Sequence, residues 1–141
     1  MNTLYKEPKR PGFPWVSPVI IVKDVDSALD FYQKAFGFEI KRKVPNENQI
    51  TVHAEVYYHG QLLMLDKAGE YGDTTVPPSI SKVKCALSLY LYTENVEELY
   101  RRAIKEGAKS IMEPENAFWG DQHCRLADPD GYEWGFATHL N

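Results

Sequence analysis

His53 and Glu55 stand two positions apart in a stretch that alternates apolar and polar residues from Ile50 to Tyr58. Alternate side chains of a strand share a face. Ile50, Val52, Ala54 and Val56 are therefore expected to pack under helices, and Thr51, His53, Glu55 and Tyr57 to face a cavity. An imidazole beside a carboxylate can be tuned around neutral pH, so the pair suits a general base or a ligand-orienting role. The same pattern also fits a polar strand face bathed in solvent. Arg125 is a second candidate. If Asp128 pairs with Tyr132 across a three-residue turn, Arg125 points to the side of Glu133 and Gly135, where it could clamp a ligand carboxylate or phosphate, or pair with Glu133. Tyr90 and Tyr92, two apart in Leu87–Tyr92, offer flat walls with hydroxyl tips, or an aromatic stripe covered by a second subunit. Trp15 and Trp119 lie in loops, as cavity gates or as anchors for a proline-rich arm.

The elements that must position these residues repeat. Val19–Val22 reads as a strand, and a helix capped by Asp24 or Asp26 follows, with Ala28, Leu29, Phe31, Tyr32, Ala35 and Phe36 as its apolar face and Gly37 as its stop. Ile50–Tyr58 and Gln61–Leu65 are strands about a His59-Gly60 turn. The second copy has a strand at Leu87–Tyr92, a helix from about Val96 to Glu106 and a stop at Gly107. Met112–Trp119 reads as a loop, His123–Ala127 as a strand, Asp128–Gly131 as a turn and Tyr132–Thr138 as the last strand. A period of about 70 residues is too long for a solenoid unit. The expected fold is α+β: two βαβββ modules whose curled mixed sheets enclose one cavity, with helices outside. The boundaries read as one domain over 1–141, with an arm at 1–16, module 1 at 17–66, a linker at 67–84 and module 2 at 85–139.

Bulk composition excludes several classes. Sixteen Lys and Arg against twenty Asp and Glu give a net charge of -4, which argues against a nucleic-acid partner. No run approaches the ~18 apolar residues of a membrane span, and the N-terminus lacks a secretory core. A cytoplasmic location is expected, with Cys85 and Cys124 unpaired. Trp134 and Phe136 read as core, and His59 as a turn residue. Ser17 and Ser88 have no histidine at a spacing that suggests a catalytic triad.

The motifs Ala28-Leu29-Asp30-Phe31-Tyr32, Ala35-Phe36-Gly37-Phe38-Glu39 and Asp128-Pro129-Asp130-Gly131-Tyr132-Glu133-Trp134 carry a resemblance over nearly the whole chain. Together they resemble the vicinal oxygen chelate superfamily of glyoxalases, bleomycin-resistance proteins and dioxygenases, and Phe118-Trp119-Gly120-Asp121 narrows this to a bacterial glyoxalase-like branch. The resemblance implies four metal-ligand positions, which fall on Ser17, Met64, Ser88 and Gly135. None is a competent ligand for zinc, nickel or iron.

The expectation is thus a small-molecule-binding protein without catalysis or cofactor, with a crevice for a planar or aromatic ligand. Its acidic surface suits cationic molecules. Its ligand contacts would come from Ser17, Tyr57, Met64, Ser88, Tyr90, Tyr92, Trp119 and Arg125, with His53 and Glu55 as the residues suited to catalysis. The alternative is a metal-dependent lyase or dioxygenase that relocates its divalent-metal ligands to His53, Glu55 and His123. His53, Glu55, Tyr90 and Arg125 are expected in one concavity. A homodimer is expected from the resemblance, the aromatic content of 13% and the proline-rich arm.

Overall fold

A computed structural model describes residues 7–141, so the first six positions of the expected arm lie outside the described residues. The chain runs β1 (Val19–Val22), α1 (Val25–Phe31), a widened helical turn (Tyr32–Phe36), β2 (Glu39–Pro45), β3 (Thr51–Tyr58) and β4 (Gln61–Lys67). It continues through α2 (Pro78–Ser81), β5 (Leu89–Tyr92), α3 (Val96–Lys105), β6 (Lys109–Asn116), β7 (Asp121–Ala127) and β8 (Glu133–His139). Two four-stranded mixed sheets result, ordered β1-β4-β3-β2 and β5-β8-β7-β6. In each, the opening strand lies parallel to its module's last strand, Val19 beside Met64 and Tyr90 beside Gly135. The architecture is α+β with two similar βαβββ modules. The sheets do not close into a barrel, so the space between them is open rather than one enclosed cavity.

Local chemistry explains the helices. Of the two candidate caps, Asp24 is the one used: its carboxylate accepts from the Ser27 amide at 2.8 Å. The helix widens over Tyr32–Phe36, where Tyr32, Ala35 and Phe36 are all buried. Gly37 stops it with φ 76°, the left-handed conformation that glycine adopts without a Cβ penalty. Asn95 caps α3 by accepting from the Glu98 amide at 3.1 Å.

The core crosses the boundary of the repeat. Phe36 of module 1 packs on Phe136 of β8 with ring centroids 4.7 Å apart, and Tyr32 packs on Trp134 at 5.4 Å. The Asp128–Gly131 turn ties the modules together. Asp128 accepts from the Tyr32 hydroxyl, from Trp134 Nε1 at 2.8 Å and from the amides of Asp130 and Tyr132, both at 3.0 Å. Asp130 accepts from the Lys23 amide at 3.0 Å, and the Tyr132 hydroxyl donates to the Ile21 carbonyl at 2.7 Å. Burial pushes the Asp128 carboxyl above its ordinary pKa, against the opposing pull of the Tyr32 and Trp134 hydrogen bonds.

Several expectations need correction. Met112–Trp119 is not a loop throughout, because β6 runs to Asn116. Its alternation is hidden by two register shifts on β7 and by Pro114, which an edge strand tolerates. β2, also an edge strand with register shifts, had no assignment in the sequence. The linker contains α2, docked by the Ser79 amide on the Asp130 carbonyl at 2.9 Å. Leu87 and Ile50 lie outside their strands and are exposed, so each apolar face begins one pair later than the alternation indicated.

Candidate functional site

Strand parity holds on β3 from Val52 to Tyr57, whereas Thr51, expected on the cavity side, is buried and reaches Asp26 of α1. Val52, Ala54 and Val56 are buried, and His53, Glu55 and Tyr57 take the opposite face. Cross-strand pairing adds Asp66 and Met64 of β4 and Arg42 of β2 to that face. His53 sits between two carboxylates: Nδ1 is 2.6 Å from Asp66 and Nε2 is 2.9 Å from Glu55. A neutral imidazole has one N–H, so satisfying both carboxylates requires the imidazolium. Burial disfavours that charge, but the hydrogen bonds donated to Asp66 and Glu55 outweigh it and raise the His53 pKa above its ordinary value. His53 is therefore better suited to holding charge than to accepting a proton. Asp66 was missed in the sequence because it ended the strand at the start of a polar linker. Its pairing with His53 across the hairpin depends on register.

The second sheet builds a different surface. Tyr90 and Tyr92 donate to the Asp121 carboxylate at 2.7 and 2.8 Å, Trp119 Nε1 approaches it at 3.1 Å, and His139 Nδ1 at 2.9 Å. The hydrogen bond from His139 lowers the Asp121 pKa most, burial opposes it, and Tyr90, Tyr92 and Trp119 add to the lowering, to about 2. Tyr90 is pushed up to about 12, chiefly by burial. The His123 ring packs against Trp119, with centroids 4.9 Å apart. Asp121 and His139 were missed, because an aspartate after a turn glycine and a histidine at the chain end carry no local signal.

His53, Glu55 and Tyr57 lie on the first sheet; Tyr90, Tyr92, His123 and Arg125 lie on the second, with Trp119 in the loop before β7. Arg125 pairs with Glu133, which Lys84 also reaches at 3.1 Å, as in the ion-pair reading of the sequence. Trp15 is 75% exposed and gates nothing within its own subunit. Cys85 is exposed and Cys124 is buried, with its thiol pKa raised to about 11 by burial.

Between the sheets lies an open cavity of about 650 Å³, lined by Val16, Pro18, Tyr58, Leu62, Leu63 and the β5 residues Leu89–Tyr92. Its walls come from both modules, joined where the Tyr58 hydroxyl donates to the Tyr92 carbonyl at 2.6 Å.

A family model for the Glyoxalase/Bleomycin resistance protein/Dioxygenase superfamily matches residues 13–136. The chain belongs to that superfamily. It is 32% identical over 124 residues to the uncharacterized protein Mb0911c of Mycobacterium bovis, covering 86% of this chain and 80% of that one. Among solved structures, a superfamily member from Sphaerobacter thermophilus is 26% identical, with a TM-score of 0.68 over 90% of this chain and 98% of that one. TioX from Micromonospora sp. ML1 shares the fold at 24% identity and a TM-score of 0.69, over 89% of this chain and 98% of that one.

The four metal positions that the superfamily resemblance implies can be tested on side-chain chemistry. Ser17 and Ser88 precede β1 and β5. Met64 lies on the His53 face, and Gly135 is covered by Tyr90: a Cβ there would meet Tyr90 Cδ1 at 3.1 Å. Serine, methionine and glycine do not fit a divalent transition metal. The relocated set is otherwise engaged, His53 between Glu55 and Asp66 and His123 against the Trp119 ring. Both His53 nitrogens face carboxylates on opposite ring edges, so His53, Glu55 and Asp66 share no common ligand point. Among the described residues no group of three or more His, Cys, Asp or Glu side chains is arranged to hold a metal ion.

Proposed function

We propose that this superfamily member is a small-molecule-binding protein whose ligand is planar or aromatic and lies between the two sheets, with no metal taking part. The supporting observation is the 650 Å³ cavity with leucine walls and the tyrosines Tyr58, Tyr90 and Tyr92. Its volume falls within the range of about 300–1,000 Å³ typical of ligand sites. Tyr90 and Tyr92 are held by Asp121, so their rings are pre-oriented and lose little freedom on binding. The net charge of -4 favours a cationic ligand. In this reading the protein works in the cytoplasm as a homodimer, and Ser17 and Ser88, near the strand openings, supply polar contacts.

Proflavine, a planar cation, is a suitable probe. Saturable binding by calorimetry is expected, weakened roughly tenfold in Tyr92→Ala through lost aromatic contact. Tyr92 is exposed, so the variant retains its core. Equal affinity in the two proteins, or no saturable binding, would remove the cavity from the proposal. Stoichiometric zinc, nickel, iron or manganese in protein purified without added metal would favour the lyase or dioxygenase alternative.

A further inference from the structure

On the helix-free face of the first sheet, the face shared by His53 and Glu55, is a depression of about 560 Å³, lined by Arg10, Glu39, Lys41, Arg42, Glu55, Tyr57 and Gly60. Three cations here face two carboxylates in a chain whose net charge is negative. The pairing inside the depression is uneven. Glu39 is taken by Lys41 at 3.2 Å. Glu55 is only 5% exposed and is hydrogen-bonded by His53 at 2.9 Å. Arg10 and Arg42 both approach Glu55 Oε2, and both stand off at 3.7 Å, beyond the ~3.2 Å of a formed hydrogen bond.

We propose that Arg10, Lys41 and Arg42, beside Tyr57, form a binding site for a small oxyanion, a carboxylate or a phosphate group. A guanidinium carries five donors in a planar fork that matches such oxygens two at a time. One carboxylate oxygen at 3.7 Å cannot occupy two forks, and it is already shared with an imidazole. The two forks converge because Arg42 pairs with Glu55 across β2 and β3, while the arm brings Arg10 to the same oxygen. Phe13 steadies the arm's arginine, with the Arg10 guanidinium 4.3 Å from its ring centroid. Lys41, paired with Glu39, lies 5.5 Å from the Tyr57 ring and completes the rim. Glu55 acts as an internal counter-ion that keeps both arginines in place, and an arriving oxyanion would take the donors it leaves unused. The site does not depend on the planar-ligand reading, since it uses other residues and the opposite ligand charge.

The test is calorimetry of the full chain at constant ionic strength, titrated with inorganic phosphate and, separately, with malonate. Saturable binding of at least one anion is expected, and the stronger arm identifies the group recognised. Arg42→Gln and Arg10→Gln should each weaken it roughly tenfold or more, since each removes charge-assisted hydrogen bonds. Lys34→Gln, on the surface of the first module's helix, should bind as the parent does. Arg42→Lys keeps the charge and loses the fork, and it should also bind several times more weakly. Absence of saturable binding in both arms would overturn the site. So would arginine variants that bind like the parent.

Discussion

The Tyr90 ring lies on Gly135, with Cδ1 3.1 Å from where a Cβ at that position would stand. A position where the superfamily's metal enzymes are expected to carry a ligand is here covered by an aromatic wall. Gly135→Ala should leave the fold intact, because Tyr90 is partly exposed and can yield. The yielding would shift its hydroxyl from Asp121, 2.7 Å away. A Tm change under ~4 °C is expected, together with weaker proflavine binding. A large loss of stability would show instead that Tyr90 is rigidly packed.

Asp128 serves four donors from a buried position, and two of them, Tyr32 and Trp134, belong to different modules. Asp128→Ala leaves these donors unpaired. The expected cost is about 3 kcal/mol or more, from a penalty of about 1–3 kcal/mol for each buried unsatisfied group. Urea unfolding monitored by Trp134 emission measures it, and a loss below ~1 kcal/mol would mean that water replaces the carboxylate.

That junction also shows what was legible in the sequence. The paired modules could be read because Gly37 and Gly107 stop matching helices and because the alternation on β3 separates its apolar face from its polar one. The turn motif announced a hairpin, but not that it would bind the helix of the other module, since Tyr32 and Asp128 are far apart in the chain. The candidate site was half legible. Parity placed His53 and Glu55 on one strand face and Tyr90 and Tyr92 on another, yet it could not say how the two faces are set against each other. Relative sheet orientation depends on packing between modules, which leaves no periodic mark. Asp66, Asp121 and His139 were hidden for a different reason. Their partners are set by register across strands, and no local pattern reports it.

His53 gives a pH signature. Its folded pKa is raised above the ordinary value of 6.5, so the stabilisation it supplies is fully present below about pH 6.5. That contribution is lost as pH rises through the folded pKa. The stability gap between the parent and His53→Gln should therefore narrow from pH 6 toward pH 9, checked by urea midpoints. The His53 ring protons should titrate by NMR with a midpoint above 6.5. A midpoint at or below that value would mean that Asp66 and Glu55 do not hold the imidazolium.

The last expectation concerns a second copy of the chain. Phe118 is 98% exposed and Trp15 75% exposed, and Val16 and Leu87 are also largely uncovered. Isolated exposed apolar residues are ordinary, but large aromatics are costly to leave in water and are enriched at interface centres. Val16, Tyr90 and Tyr92 border the cavity between the sheets, so a partner placed there would deepen it as well as cover them. A twofold pairing closes such a surface on itself without leaving a free face. Light scattering at micromolar concentration should give twice the 16.2 kDa mass of one chain. Trp15→Ser combined with Phe118→Ser should shift the equilibrium toward the monomer on dilution, with little change in the core, because neither side chain is buried. A parent mass of one chain at every concentration would mean that these aromatics serve a different partner.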